Sequence, residues 1–198
     1  MKNKSKPWIS IADLLSSVVL ILLLLFVMAS IGPKYTKEAQ RITMMNQINT
    51  ALHDYESKGQ IKVHMEQGIL EFTSVTFPSG SAQLGTDTNA LVKELAVKLK
   101  HYMDEHKMME VLIEGHTDPS AVREVVNRGG YFENNIQLST LRAANVREAV
   151  LNDMGKEYSN RIGVAGYGET RLKNKVDPLS AENRRIEIRI LWNGKEDK

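Results

Sequence analysis

The chain begins with a long apolar stretch. Residues 8–31 read WISIADLLSSVVLILLLLFVMASI, in which Asp13 is the one ionisable residue. About 20 mostly apolar residues are enough to cross the hydrocarbon of a bilayer as a helix. The pattern therefore predicts a retained transmembrane helix over residues 8–31, preceded by a basic cytoplasmic tail at residues 1–7. Gly32-Pro33 is expected to end it.

A cleaved signal peptide is the alternative interpretation of the same stretch. Lys2, Lys4 and Lys6 fit the charged start of such a peptide. The apolar run is long for a signal peptide, however, and Ala29-Ser30-Ile31 is a poor cleavage site. These two observations favour a membrane anchor that stays on the protein.

Residues 32–59 change to an amphipathic pattern with the period of a helix. Apolar side chains recur at steps of three and four through Met45, Ile48, Leu52 and Tyr55, and Gly59 follows. This predicts a juxtamembrane helix from Tyr35 to about Ser57. Its apolar side has three alternative destinations: packing on the following domain, a two-stranded coil that dimerises the chain, or a plug lying along the membrane. Two heptads do not choose among them.

Residues 60–192 alternate short strand-like runs with two amphipathic helices. Their order predicts an α+β fold, in which a mixed sheet has helices packed on one face, followed by a polar tail at residues 193–198. The predicted elements are a hairpin of Ile61–Met65 and Ile69–Thr73, a helix capped by Thr86 or Asp87 and running to about His106, a strand at Met109–Glu114, a helix at Asn135–Met154 closed by Gly155, and strands at Arg161–Tyr167 and within Ala181–Trp192.

Composition excludes several classes of function. The chain has no cysteine, which excludes disulfides, thiolate metal sites and a cysteine nucleophile, and its net charge of +2 makes no case for nucleic-acid binding. No catalytic triad spacing, metal-ligand cluster or phosphate loop is recognisable, so we predict neither an enzyme nor a bound cofactor or metal. His116, the histidine that follows a predicted strand, is interpreted as a structural residue packed under a loop.

Five short motifs in residues 60–192 resemble the OmpA-like peptidoglycan-binding domain. They occur in the order typical of that family: Phe77-Pro-Ser-Gly-Ser-Ala82, Ile113-Glu-Gly-His-Thr-Asp118, Asn135-Ile-Gln-Leu-Ser139 with Leu141-Arg-Ala143, Gly166-Tyr-Gly-Glu169, and Asn183-Arg-Arg-Ile-Glu187. In that family an aspartate after Gly-His-Thr and an arginine in the Leu-Ser-x-x-Arg-Ala helix hold the diaminopimelate of the peptide stem. The resemblance assigns these roles to Asp118 and Arg142.

The chemistry of diaminopimelate suits such a pair. The ligand is a zwitterion, so a carboxylate can bind its ammonium group while a guanidinium binds its carboxylate through two hydrogen bonds. The resemblance further implies that Thr117, Asn135 and Leu138 line the same groove, with Arg184 a weaker candidate. The segment 119–134 is longer than in short OmpA-like domains, and its role stays open.

The apolar stretch adds a second resemblance. Trp8-Ile-Ser-Ile-Ala-Asp13-Leu-Leu-Ser16 is similar to the start of the MotB/ZorB/PomB family, the B subunits of ion-driven stators, although Ile11 stands where that family usually has Tyr or Phe. A carboxylate inside a membrane span is costly and marks a functional site by default. Asp13, with Ser16 one turn further on the same face, is therefore the candidate ion-carrying group.

This second resemblance implies a mechanism and partners. Two copies of the chain would lie inside a ring of multi-span A subunits, and Asp13 would carry H⁺ or Na⁺ from the periplasm. The protein would be a single-pass inner-membrane protein with its C-terminal domain in the periplasm, anchored to peptidoglycan. The short linker slightly favours a ZorB-like defence motor over a flagellar MotB. The alternative function is a passive tether between membrane and wall, with no ion transport.

Overall fold

The computed structural model describes residues 7–72, 77, 81–120, 122 and 132–192, and the chain divides into two units between Ile42 and Thr43. Outside the described residues lie most of the predicted tail at residues 1–7, the predicted tail at residues 193–198 and most of the segment 119–134.

The first unit consists of most of a long helix, α1, which runs from Pro7 to Ala51. Within it, Ile11–Ser30 is long and apolar enough to cross a membrane, and none of this segment is buried. The prediction that Gly32-Pro33 ends the helix is wrong, because α1 continues through both residues. Proline costs a helix one hydrogen bond, about 3 kcal/mol, which a helix continuing on both sides can absorb. The apolar composition ends near Pro33, but the helix does not.

The end of α1 is part of the folded domain. Met44, Met45, Ile48 and Leu52 are each no more than 1% exposed and belong to the main hydrophobic core. Of the three alternatives for this apolar side, the structure shows packing on the domain itself. A short helix, α2 at His53–Ser57, follows, and the compact unit begins at Thr43 rather than at residue 60.

A five-stranded mixed sheet forms the centre of the second unit, which confirms the predicted α+β class. Its strands are β1 (Ile61–His64), β2 (Ile69–Phe72), β3 (Met109–Gly115), β4 (Ile162–Gly166) and β5 (Ile186–Trp192). They lie in the order β1-β2-β5-β3-β4, with β3 and β4 parallel and the other pairs antiparallel. The last strand in sequence thus lies at the centre, where it joins the hairpin to the parallel pair.

Two helices of 20 residues each, α3 (Thr86–Glu105) and α4 (Asn135–Met154), share one core with the sheet. Helix α4 has the predicted bounds: the Asn134 side chain accepts a hydrogen bond from the backbone N–H of Gln137, and Gly155 ends the helix with a φ of 117°. The prediction that Thr86 or Asp87 caps α3 is wrong, because the N-cap position is occupied by Gly85, which has no side chain to accept a hydrogen bond.

Candidate functional site

Glycines at the ends of β3 and β4 allow α4 to lie directly against the sheet. A Cβ atom on Gly115 would clash with the backbone carbonyl of Ser139, and a Cβ on Gly166 would clash with Thr140. Only a residue without a side chain permits such close approach of a helix to two strands. The first turns of α4 are therefore held beside the loop that follows β3. This juxtaposition places the start of α4 beside the residues expected to line the ligand groove.

The loop after β3 presents Asp118 at the edge of this junction. Its Oδ1 accepts a hydrogen bond of 3.0 Å from the backbone N–H of Ser120, and its Oδ2 accepts one of 2.6 Å from Nη1 of Arg184. Burial alone would raise the pKa of the Asp118 carboxyl, but the hydrogen bonds from Arg184 and Ser120 outweigh burial and hold the pKa below its usual value. Asp118 is thus an oriented, ionised carboxylate.

Arg142 supplies the positive side of the groove from the second turn of α4. The residue is 5% exposed, its Nε donates to the Ser81 carbonyl at 3.0 Å, and its guanidinium carbon lies 4.8 Å from the centre of the Phe77 ring. Burial lowers the pKa of Arg142 to about 10, an effect that the nearby Asp118 charge partly offsets. Among the described residues, no carboxylate forms a hydrogen bond with this guanidinium.

Asn135 supports Asp118 indirectly. Its Nδ2 donates a hydrogen bond of 3.1 Å to the carbonyl of Ser120, the residue whose N–H binds Asp118. Leu138, also expected to line the groove, is 5% exposed and packs in a small second cluster with Ala82 and Phe132. Asn135 thus supports the loop that carries Asp118. Leu138 contributes to the small apolar cluster.

Thr117 and His116 lie beneath the groove. Both are at most 3% exposed, and the Thr117 hydroxyl and both ring nitrogens of His116 have no hydrogen-bond partner in the described part of the chain. The His116 ring stacks on Tyr167 with centroids 5.4 Å apart. Burial, followed by the charge of Arg185, lowers the pKa of His116 to about 4, so the ring is neutral at pH 7. Its burial fits the structural role expected for it.

Three side chains near His116 are close enough to suggest a cation site. These are Glu114, His116 and Glu187, whose ligand atoms lie within 4.8 Å of one another. Both carboxylates, however, already bind guanidinium groups at 2.7 Å: Glu114 binds Arg189 and Glu187 binds Arg185. A metal ion would have to displace an arginine, so ion pairing explains this cluster.

Sequence reasoning assigned no role to three residues that build the groove: Phe77, Ser81 and Ser120. Phe77 and Ser81 lie in the first motif quoted above, so the motif was a signal, but their contacts with Arg142 depend on tertiary structure. The fully buried Asn183 is a fourth such residue. Its side chain accepts from the N–H groups of Lys173 and Asn174 and thereby orders the loop that precedes Arg184.

The predicted ion-carrying residues belong to the other unit. Asp13 is exposed on α1, and its carboxylate has no partner among the described residues. The hydroxyls of Ser16 and Ser17 donate to the backbone carbonyls of Ala12 and Asp13, at 2.8 and 3.0 Å. Both serines are therefore satisfied inside their own helix, whereas the Asp13 carboxylate has no such partner in the part of the chain that the structure describes.

Comparison with known proteins agrees with this geometry. Residues 76–185 match the OmpA family, and this span includes Asp118, Arg142 and Arg184. The chain belongs to the OmpA family. It is 31% identical over 116 residues to outer membrane porin F of Pseudomonas aeruginosa, and 31% identical over 121 residues to LafU of Escherichia coli, described as a flagellar export/assembly protein.

These matches cover 59% and 61% of this chain but only 29% and 36% of the two relatives. The chain thus spans about a third of the length of the curated relatives it matches. Most of each relative lies outside the match, so the activities of the whole relatives do not follow from it.

Solved structures share the fold. A protein from Desulfovibrio vulgaris described as MotB-like aligns over 80% of this chain and 97% of its own, with 26% identity and a TM-score of 0.59. The periplasmic domain of Helicobacter pylori MotB aligns over 66% and 79%, with 20% identity and a TM-score of 0.52. The cell wall anchor of the T6SS from Pseudomonas aeruginosa aligns over 73% and 96%, with 21% identity and a TM-score of 0.57.

Proposed function

We propose that this protein spans the inner membrane once and binds peptidoglycan with its OmpA-family domain, as the B subunit of an ion-driven stator. The observation that carries the proposal is the presence, in one chain, of a lone carboxylate on an apolar helix and of an OmpA-family groove with an acid and a base. The groove explains anchoring, and the carboxylate explains ion transport. The two halves can be tested separately.

The groove is suited to the zwitterionic end of diaminopimelate. Arg142 is a buried cation without a carboxylate partner among the described residues, and a buried cation gains most from an anion that binds through two hydrogen bonds. Asp118 offers an ionised oxygen to an ammonium group. A ligand with both groups on one carbon would satisfy both residues, which is what the peptide stem provides.

Cosedimentation of the full chain in detergent with purified peptidoglycan tests the anchoring half. We expect Asp118→Asn and Arg142→Gln each to weaken binding at least tenfold, since truncating one member of a desolvated charge pair costs about 2–5 kcal/mol. Asp153→Asn and Lys93→Gln are matched controls, because both residues are exposed charges on helices of the same domain. Equal binding by all five proteins, wild type included, would refute diaminopimelate recognition by this groove.

Asp13 carries the transport half of the proposal. A charge in hydrocarbon is costly, so a bound H⁺ or Na⁺ makes it cheaper for the helix to move past a neighbouring subunit. The membrane potential supplies about 2.3 kcal/mol per charge per 100 mV, enough to bias such steps. A single helix cannot enclose an ion path, so the proposal requires a multi-span A subunit around two copies of this chain.

A passive tether between membrane and wall is the second candidate. The observation that favours it is the shared fold with a structure described as a cell wall anchor. A tether would use the groove in the same way. It would have no use for Asp13, which is therefore the residue that separates the two candidates.

A mild-detergent purification from native membranes, followed by the mass of the intact complex, tests the stator directly. We expect a multi-span protein to copurify in excess over two copies of this chain. Recovery of this chain alone, or with wall fragments only, would support the tether and refute the stator. A large cytoplasmic extension on the partner would identify a ZorB-like defence motor, and its absence a flagellar type.

The short connection between the two regions favours the ZorB-like output. The apolar segment ends at Ser30 and the compact domain begins at Thr43, so few residues separate them.

We propose H⁺ as the coupling ion. Motor activity that persists without Na⁺ and stops when a protonophore is added would support this choice, and strict dependence on Na⁺ would refute it.

A further inference from the structure

The acidic half of the groove is already occupied by the protein itself. Arg184 donates from Nη1 to Oδ2 of Asp118 at 2.6 Å, while the backbone N–H of Ser120 binds the other oxygen. A short, charge-assisted bond of this kind uses the same oxygen that a ligand ammonium would need. An incoming ammonium group must therefore compete with Arg184.

The two members of this ion pair differ in their freedom to move. The Asp118 side chain is 9% exposed and is held by Ser120, whereas the Arg184 side chain is 47% exposed. The other hydrogen bond of the Arg184 guanidinium, to the Leu179 carbonyl, is long at 3.4 Å. Arg184 is thus the movable partner, and its guanidinium can swing into solvent at small cost.

The backbone of Arg184, in contrast, is fixed. Its N–H donates to the Ala181 carbonyl at 3.0 Å, and the preceding Asn183 is fully buried. The Asn183 side chain donates to the Pro178 carbonyl at 2.8 Å and binds the surrounding loop. A fixed backbone keeps the displaced guanidinium next to the groove, so that it can return to Asp118 when the ligand leaves.

The basic half of the groove shows the opposite state. Arg142 is buried, and in the described part of the chain no carboxylate forms a hydrogen bond with it. Among the described residues, therefore, the Arg142 guanidinium has no carboxylate partner, whereas the Asp118 carboxylate already has a guanidinium partner.

We propose that Arg184 is a latch on Asp118, which an ammonium group displaces only when the carboxylate of the same ligand is held by Arg142. The latch rests on the proposed function of the groove. It makes recognition depend on both charges of the zwitterion, because a simple amine must displace Arg184 without help from Arg142. It also predicts that Arg184 opposes binding, whereas a ligand-contacting arginine would favour it.

Calorimetric titration of the full chain in detergent with a soluble muropeptide that contains diaminopimelate tests the latch. We expect Arg184→Gln to bind about two- to fivefold more tightly than wild type, since an ion pair whose arginine is half exposed is worth about 0.4–1 kcal/mol. Arg184→Lys keeps the charge and should stay close to wild type. In an Asp118→Asn background, Arg184→Gln should change nothing, because the latch then has no partner.

A second readout needs no ligand. Arg184 holds the pKa of Asp118 down, so NMR titration of the Asp118 carboxyl should give a higher pKa in Arg184→Gln than in wild type. An unchanged pKa would mean that the ion pair is absent in solution, and would overturn the latch.

The outcomes separate the latch from the function on which it rests. Weaker or unchanged muropeptide binding by Arg184→Gln, with Asp118→Asn still defective, would overturn the latch and leave wall binding intact. Equal affinities of wild type, Asp118→Asn and Arg142→Gln would instead refute the proposed function of the groove.

Discussion

The two units of this protein differ in whether their apolar side chains are buried within the chain. In the segment Ile11–Ser30 the side chains point outward and none of the segment is buried, whereas the domain from Thr43 encloses its apolar residues between a sheet and helices. The domain buries these apolar side chains within its own core. The apolar helix needs an external apolar environment, either lipid or other protein, to bury the same kind of side chain.

The polar groups follow the same contrast. In the domain, Glu114 and Asp118 each bind an arginine of the same chain. On the apolar helix, Ser16 binds its own backbone and the Asp13 carboxylate has no partner among the described residues. The fold of the domain therefore identifies the charged partner of Asp118, whereas a partner of Asp13 depends on what surrounds the helix.

The largest expected effect comes from Asp13→Asn. The amide keeps the size of the side chain but cannot gain and lose a proton, so we expect loss of all ion-driven motor activity with complex assembly retained. Motor output in cells and copurification of the partner measure the two. Ser17→Ala is the control, because that hydroxyl binds only its own helix backbone. A working Asp13→Asn motor would make the exposed carboxylate incidental and remove the contrast drawn above.

Ile48→Ala tests whether the end of α1 belongs to the domain. Ile48 is 1% exposed, so removing its side chain should lower the free energy of unfolding by about 2–5 kcal/mol, through lost burial and a cavity. Ile42→Ala, only six positions earlier but 48% exposed, is the matched control and should cost much less. Chemical denaturation of the full chain in detergent measures both. Equal, small effects would show that this part of α1 is detached from the core in solution.

Gly115→Ala tests the close approach that builds the groove. A new Cβ there would clash with the Ser139 backbone, which cannot move without shifting α4, so we expect a destabilisation of about 2–3 kcal/mol. In Gly163→Ala the nearest atom is the flexible end of Leu112 at 3.3 Å, which can give way. The same denaturation experiment compares the two. If Gly163→Ala proved as costly, helix–sheet contact at Gly115 would not be the cause.

The smallest effect is a pH dependence due to His116. Its pKa is about 4 in the folded protein against 6.5 ordinarily, so between these values the unfolded chain binds more protons. Stability should therefore fall as the pH drops below about 6.5, by about 1 kcal/mol between pH 7.5 and 5.5. Denaturation of wild type and His116→Gln over this range measures the difference, which the variant should lack. Parallel profiles would assign the pH dependence to other groups.

Local signals predicted the elements of the domain well. Helix α4 has the predicted ends because a glycine in the left-handed region closes it, and the sheet follows from runs of alternating residues. The course of α1 through Gly32-Pro33 was not predictable by the same rules. Proline destabilises a helix only locally, and α1 continues for many residues on both sides of Pro33.

The site was predictable in its members but not in its connections. Motif resemblance named Asp118, Arg142 and Arg184, whose charges lie close enough to one another in the structure to interact. The bond between Asp118 and Arg184 joins residues 66 positions apart and depends on a loop ordered by Asn183. The Thr117 hydroxyl is buried and has no hydrogen-bond partner in the described part of the chain. Its ligand role stays a prediction.

Periodicity, composition and short motifs are local along the chain, so they were enough to predict the apolar helix, the fold class and the candidate charged residues. The burial of Met45 and Ile48 in the domain core, and the bond between Arg184 and Asp118, are seen only in the folded chain. Apolar periodicity shows that one face of a helix must be buried, but it does not show which surface covers that face. A buried charge likewise needs a partner, and the sequence does not show which residue provides it.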